Sequence, residues 1–368
     1  MITKCFTPEL SASFNLTLSN LLSQITDVEG ITPVRVTFFS DAEQDEELEE
    51  ERQAARAIIN DHFGDSIPTW NLIGQSPICT NHTDGVPEKH FPLAAEVSYL
   101  ECDKKDISFR MFENRPYVVT ELDGVKKLYV SGIRNNYTYD VIEQCEETFA
   151  KMHRLLKLEQ MPINSIVRQW NYVRKIVGVV GEFQNYQQFN DARSYFYDQT
   201  QWPEGYPAAT GIGVICGKIS VDFDAATGLD NVKAIDNLLQ VAAHVYSQEV
   251  LIGKQTVHKR TPKFERAKIA GDTLYISGTA SIRGEDSIGW DDIDKQTIVT
   301  LENIEHLVEQ AGTKPMEAMR AYIKRPELVA PARKIIEERY PDIEAVYVIS
   351  DVCRDELLIE IEALAYKA

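Results

Sequence analysis

Short runs of alternating apolar and polar positions along the chain mark strands, and longer stretches with apolar residues three and four apart mark helices. "VRVTFF" (Val34 to Phe39) reads as a strand. The stretch "SDAEQDEELEEERQAARAIINDHFG" reads as a helix capped by Ser40 or Asp41, acidic in its first turns and ended by Gly64. Residues 74–95 are rich in turn formers and read as a loop. Further on, a pattern repeats. "GVKKLYVSGI" (Gly124 to Ile133) and "AGDTLYISGT" (Ala270 to Thr279) are both strands with a Ser-Gly pair near the end, 146 residues apart. Each precedes a helix, "YDVIEQCEETFAKMHRLL" or "DIDKQTIVTLENIEHLVEQAG", and then a strand, "SIVRQWNYVRKI" or "AMRAYIKR". That offset suits a duplicated domain rather than a solenoid. The predicted division lies near residue 225, giving 1–225, with an N-terminal extension, and 226–368. The second half reads strand, strand, helix, strand, helix, strand, strand, which predicts an α+β fold with a mixed sheet and helices on one face.

One segment fits no element cleanly. "FQNYQQFNDARSYFYDQTQWPEGYPAATGIGV" (Phe183 to Val214) is too polar for a core strand and too aromatic for a solvated loop. The totals narrow what it could serve. The chain has 368 residues and a formal net charge of -19, which argues against a general nucleic-acid or anionic-membrane binder but not against a local arginine pocket for a small anion. No apolar run reaches the roughly 18 residues of a membrane span, and "MITKCFTPELSASFNLTL" lacks a signal-peptide layout, so the expectation is a cytoplasmic protein. The six cysteines, at 5, 79, 102, 145, 216 and 353, form no CxxC pair. The histidines show no HExxH spacing, and there is no Walker loop or GxGxxG. The expectation is neither metal nor cofactor.

The last strand carries the most pointed chemistry. Alternation puts Leu357, Ile359, Ile361 and Ala363 on one face and Leu358, Glu360, Glu362 and Leu364 on the other. Two carboxylates there need either an exposed face, a cationic partner or a chemical task. In the aromatic segment, Tyr186 and Arg193 stand seven apart, two helical turns, so a helix would put them on one side. "YPAATGIG" could bring backbone N–H groups, Thr210 and Gly211 close to a ligand. Arg193 reads equally as a surface ion pair, and the glycines as a tight strand start. Arg266 in "PKFERAKI" and Tyr246 in "HVYSQEV" are further candidates for holding a carboxylate. Cys353, in "DVCRDE", reads from its residue type as a small buried hydrophobe.

"LYISGTAS", "QTIVTLENIEHLVEQAG" and "LLIEIEALAY" together resemble the RidA/YjgF family, whose fold is chorismate mutase-like. Two such units, with "YQQFNDAR" and "YPAATGIGV", narrow the resemblance to the chorismatases, which cleave chorismate to pyruvate and a dihydrodiol or a hydroxybenzoate. The resemblance implies two tandem RidA/YjgF-like domains and Glu360 as catalytic glutamate, protonating the enolpyruvyl ether. It implies Tyr186, Arg193, Thr210, Gly211, Tyr246 and Arg266 around chorismate. It also implies Cys353 and Ala267 as residues that bear on product choice, with a cysteine near position 353 resembling the 3-hydroxybenzoate-forming type; 4-hydroxybenzoate and the dihydrodiol stay open. RidA deaminases carry an arginine about fifteen residues before the matching glutamate; here that position is Ala345, flanked by Arg339 and Arg354. An imine deaminase and a non-catalytic small-molecule-binding protein are the rival readings. RidA proteins are trimers with sites between subunits; the duplication makes a monomer the expectation here and a trimer the alternative.

Overall fold

A computed structural model describes residues 1–7, 11–25, 30–78, 92–135, 137–249, 251 and 259–367. Among the described residues three sheets of four, six and six strands carry the fold, beside two short two-stranded ribbons. The first unit runs β1 (Ile2–Phe6), α1 (Phe14–Leu22), β2 (Thr32–Ser40), α2 (Asp45–Phe63), β3 (Thr69–Gly74) and β4 (Leu93–Leu100), in sheet order β1-β4-β2-β3. The second runs β5 (Ile107–Phe112), β6 (Arg115–Leu122), β7 (Val125–Arg134), α3 (Val141–Leu158), β8 (Ile166–Arg174), α4 (Asn185–Tyr197), β9 (Ala208–Val214) and β10 (Ser220–Thr227), in order β9-β8-β10-β7-β6-β5. The third runs β11 (Val232–Ile235), β12 (Ala267–Ala270), β13 (Thr273–Ala280), α5 (Ile293–Ala311), β14 (Ala318–Ile323), α6 (Val329–Arg339), β15 (Glu344–Ile349) and β16 (Ile359–Tyr366), in order β11-β12-β13-β16-β14-β15.

The second and third units share one topology: their last strand runs antiparallel between two neighbours, and the strands flanking the second helix pair in parallel. The first unit repeats it without the two leading strands, since β4 lies antiparallel between β1 and β2, and β2 pairs in parallel with β3. The stretch read as an N-terminal extension is therefore a third copy in its own sheet. β10 runs through residue 225 and the next sheet begins at Val232. The acidic helix starts at Asp45 after Gln44, not at Ser40 or Asp41, because Ser40 completes β2, where its hydroxyl donates to Glu51. Gly64 ends it as expected. Of the stretch 74–95, residues 79–91 lie outside the described residues; Gly74 closes β3 and Leu93 opens β4.

Within each unit the helices cover one face of the sheet and bury its apolar side chains, such as Leu274, Ile304, Ile359 and Ile361 in the third. The opposite faces turn inward and meet. β3 packs on β7, β9 on β13, and β15 on β1, so the units close a ring with pseudo-threefold symmetry. Buried arginines cross each seam in the same sense. Arg35 on β2 reaches Asp224 on β10 at 2.6 Å, Arg168 on β8 reaches Glu362 on β16 at 2.9 Å, and Arg320 on β14 reaches Glu96 on β4 at 2.7 Å. Each last strand thus receives an arginine from the unit before it.

Candidate active site

The site begins with the alternation of β16. Its apolar set enters the helix-covered core, which forces Glu360 and Glu362 to the inward face. Opposite them β13 bulges at Ser277-Gly278, where the pairing shifts between Ile276 and Thr279. Gly278 is needed there: a Cβ at this position would stand 2.0 Å from Glu360 Oε1. Glu360 is 4% exposed. Burial, then the neighbouring Glu362 charge, push its carboxyl up to about 8, against the pull of Arg266 and Arg168. At neutral pH it holds its proton.

Glu362, two residues on, has the opposite character. Trp170 Nε1 donates to Oε1 at 2.6 Å, and Thr210 Oγ1 donates to Oε2 at the same distance. The Tyr322 hydroxyl adds a donor at 3.1 Å, and Arg168 and Arg320 flank it at 2.9 and 3.6 Å. Burial alone would raise its pKa; the two arginines and these donors outweigh burial and hold it below the ordinary carboxylate range. A fixed anion therefore stands beside a neutral acid, two carboxyls whose surroundings drive their proton affinities apart.

Glu360 opens into a cavity at the seam of the second and third units. The aromatic segment supplies one wall. Helix α4 presents Tyr186 and Asn190, and the Tyr186 ring lies so close to Gly211 that a Cβ there would be 2.8 Å from it. Of the other aromatic side chains of this segment, Phe183 and Tyr195 are exposed and the rest turn inward. Phe189 and Phe196 pack on Phe149, and Tyr197, Trp202 and Tyr206 cluster beside them. Across the cavity stand two guanidinium groups. Arg266 donates to the Val241 carbonyl and the Tyr246 hydroxyl, while its buried Nε has no hydrogen-bond partner among the described residues. Arg354 donates to the Glu285 carbonyl. Both lie 5.5 Å from the Tyr246 ring centroid. Cys353 completes this side, its thiol pushed up to about 12 by burial and then by Glu360, so that it is a neutral thiol and not a thiolate.

The fold brings Tyr186, Gly211, Tyr246, Arg266, Cys353 and Glu360 to one cavity. Three expected residues do not line it. Thr210 alternates with Ala209 and Gly211 on β9, so its hydroxyl points the other way, donating to Glu362 and accepting from Arg168 Nη2 and Gly278 N–H. Ala267 alternates with Arg266 and enters the helix-covered core. Arg193 shares a side of α4 with Tyr186 but lies one layer behind the wall, against the Phe189 and Phe264 rings, donating to Asn190 Oδ1 at 2.7 Å. Arg354 was not expected in the site; its one signal is adjacency to Cys353 at a turn. Ala345 lines a different cavity, between β15 and β1, with Cys5 and Tyr347.

Residues 107–225 match a family model described as chorismatase FkbO/Hyg5-like, N-terminal. A 3-hydroxybenzoate synthase of Streptomyces hygroscopicus is 31% identical over 229 residues, covering 56% of this chain and 65% of that protein. A chorismatase of Streptomyces rapamycinicus is 30% identical over 220 residues, covering 54% of this chain and 64% of the relative. The matched region thus spans slightly less than two thirds of these relatives' length. A crystal structure of a chorismatase superposes over 99% of this chain and 98% of its own with a TM-score of 0.68 at 20% identity, which shows the shared fold.

Proposed function

We propose that this chain, which belongs to the chorismatase family, cleaves chorismate to pyruvate and 3-hydroxybenzoate. The observation that carries the reading is a carboxylic acid, Glu360, held neutral in a cavity that also presents Arg266 and Arg354. Chorismate brings two carboxylates and an enol ether. The two planar guanidinium groups suit the carboxylates. Glu360 supplies what the ether needs, a proton to the enolpyruvyl methylene carbon, which becomes the methyl group of pyruvate. Glu362 stays ionised beside it. Its charge disfavours ionisation of Glu360 before substrate arrives and supports the positive charge that develops at the ether carbon afterwards.

Product choice turns on water. If a ring hydroxyl takes part, the atoms of chorismate divide between pyruvate and 3-hydroxybenzoate with none added, and the proton lost on aromatisation restores Glu360. If water adds instead, the product is the dihydrodiol. Phe264, Ile282, Tyr186 and Cys353 make the wall around Glu360 apolar or weakly polar, which supports the water-free route; the 3-hydroxybenzoate synthase relative supports it too. The deaminase reading loses support at Ala345, which carries no cation and lies in another seam. The ring of three units within one chain supports a monomer. Among the described residues no helix is long and apolar enough to cross a membrane, and a cytoplasmic location is proposed with it.

The test is incubation with chorismate and separation of the products. Equal amounts of pyruvate and 3-hydroxybenzoate are expected. Pyruvate with the dihydrodiol would move the assignment to the hydrolytic type, and no pyruvate would overturn it.

A further inference from the structure

Among the described residues, every side chain that lines the catalytic cavity comes from the second or third unit. The first unit reaches that machinery by another route. Beyond β3 the chain runs through residues 74–78 as a tie between the other two units. On one side the Gly74 carbonyl accepts from Ile215 N–H at 2.9 Å. On the other, the Ser76 carbonyl accepts from Ile349 N–H at 2.8 Å, and Ile78 N–H donates to the Tyr347 carbonyl at 2.9 Å. Gln75 stands between these two sets of bonds and is fully buried. Its Nε2 donates to the Gly213 carbonyl at 2.7 Å and to Ser350 Oγ at 3.0 Å. Ser350 Oγ in turn donates to the same Gly213 carbonyl at 2.6 Å. One amide of the first unit thus joins the end of β9 to the end of β15.

Both ends lead to the cavity. β9 carries Ala209 and Gly211 in its wall, and β15 runs on through Ser350 into the turn that carries Cys353 and Arg354. Gly213 N–H also donates to the Asp351 carbonyl at 2.8 Å, and a Cβ at Gly213 would stand 2.7 Å from that oxygen, so strand and turn meet backbone to backbone. Further along, the turn is held by the buried Val352 and by Arg354 itself, which donates to the Glu285 carbonyl at 2.8 Å. Gln75 Oε1 is buried with no partner among the described residues, so an apolar residue of the same volume would fill this space with less desolvation. Packing alone therefore does not account for an amide here; its two donated bonds do.

We propose that Gln75 is a positioning residue for the reaction at Glu360: from the first unit it clamps Gly213 and Ser350, and so fixes the turn that presents Arg354 and Cys353 to the substrate. The inference rests on the cleavage of chorismate proposed above. A guanidinium fork binds a carboxylate well only when its anchor is held in place. Glu360 is delivered by β16 and keeps its proton through burial, so the clamp bears on binding and not on the proton.

Gln75→Met keeps the volume and removes both donated bonds. With pyruvate release by the parent established first, steady-state kinetics on this variant should show KM raised about tenfold, as when one charged hydrogen bond is loosened, and kcat within about threefold of the parent. The alkaline limb of its pH–rate profile should stay in place. A merely structural loss would instead lower the active fraction, and kcat with it, at an unchanged KM. Arg354→Gln should raise KM by itself, and Gln75→Met added to it should raise KM by less than about a further twofold, because the clamp acts through Arg354. Ser350→Ala removes the hydroxyl at the centre of the clamp and should repeat the split between KM and kcat; it decides the question if Gln75→Met does not fold. An unchanged KM in the folded variants, or effects of Gln75→Met and Arg354→Gln that multiply in the double variant, would overturn the proposal. A parent that releases no pyruvate would overturn the reading of Glu360 and this inference with it, whereas an active parent with variants that match it would overturn this inference alone.

Discussion

The two seams on either side of the second unit use equivalent strands and equivalent bulges, yet they carry opposite chemistry. In one, Glu360 sits neutral beside the fixed anion Glu362, with Arg266 and Arg354 across the cavity. In the other, Ser220 sits beside Asp222, and the cations Arg115 and Arg134 crowd the space that the acid would fill. Asp222 receives Gly132 N–H and Asn71 Nδ2, but burial pushes it up to about 6. Glu362 has two arginines beside it and stays charged. The difference teaches that the shared fold sets where a last-strand side chain is delivered, while one or two residues around it decide whether that place holds a protonated acid or is filled by cationic side chains.

The sharpest way to break the contrast is to remove the acid. Glu360→Gln should keep the fold and lose about 10² to 10⁴ in turnover, the range for general acid catalysis. Near-normal turnover in a folded variant would make the two seams chemically alike. The same residue sets a pH signature. Because its folded pKa lies above the unfolded value, the folded state holds an extra proton between the ordinary carboxyl range and about 8. Parent stability attributable to this group should therefore fall as pH rises through that window, and activity should fall above about 8. Melting curves across pH should show the stability component missing in Glu360→Gln.

Next comes the fixed anion. Glu362→Gln leaves Arg168 and Arg320 short of a buried partner, and breaking such a pair typically costs about 3–5 kcal/mol. It also removes a charge that raises the Glu360 pKa, so the alkaline limb of the activity profile should move to lower pH. Denaturant melts measure the first effect and a pH–rate profile the second. An unmoved limb would show that Glu362 only braces the seam.

A smaller effect separates cavity-facing from supporting arginines. Arg266→Lys keeps the charge but loses the fork, and losing about 1.5–3 kcal/mol of charged hydrogen bonding lowers kcat/KM about tenfold to a hundredfold. Arg193→Lys, one layer behind the wall, should cost less in kcat/KM. Steady-state kinetics on both variants ranks them, and the reverse order would make Arg193 the substrate contact. The smallest effect is on product choice. Cys353→Ala should keep pyruvate release and shift the products towards the dihydrodiol, because the space it opens admits water. Chromatography would read an unaltered ratio as a purely packing role.

Much of the fold was legible where each unit announces itself locally. The Ser-Gly strands and the following helices appear as read, because periodicity reports which face of an element meets the core; the order of the second half was read one strand short, since Val232–Ile235, Ala267–Ala270 and Thr273–Ala280 all precede its first helix. The first unit escaped notice because it lacks the two leading strands and the Ser-Gly pair, and its kinship lies in pairing order. Of the site, Glu360 and Tyr186 were legible as residues out of character with their surroundings. Arg354 was not, since nothing in "DVCRDE" says which way a turn will aim its guanidinium group. Thr210 and Ala267 were placed one position off, where alternation sends a neighbour's side chain to the opposite face of the strand.

By itself the sequence determined the elements, the alternation that sends Glu360 and Glu362 away from the helix-covered core, and the glycine at 278 that leaves room for a carboxyl. These are local properties, written in periods of two and in residue size. Only the tertiary structure decided that the chain closes a ring of three. It also decided that Arg168 and Arg320 from different units flank Glu362 while Glu360 is left to its proton. The reason is physical: a pKa follows from burial and from charges within a few ångströms, and those charges come from residues far apart in the chain.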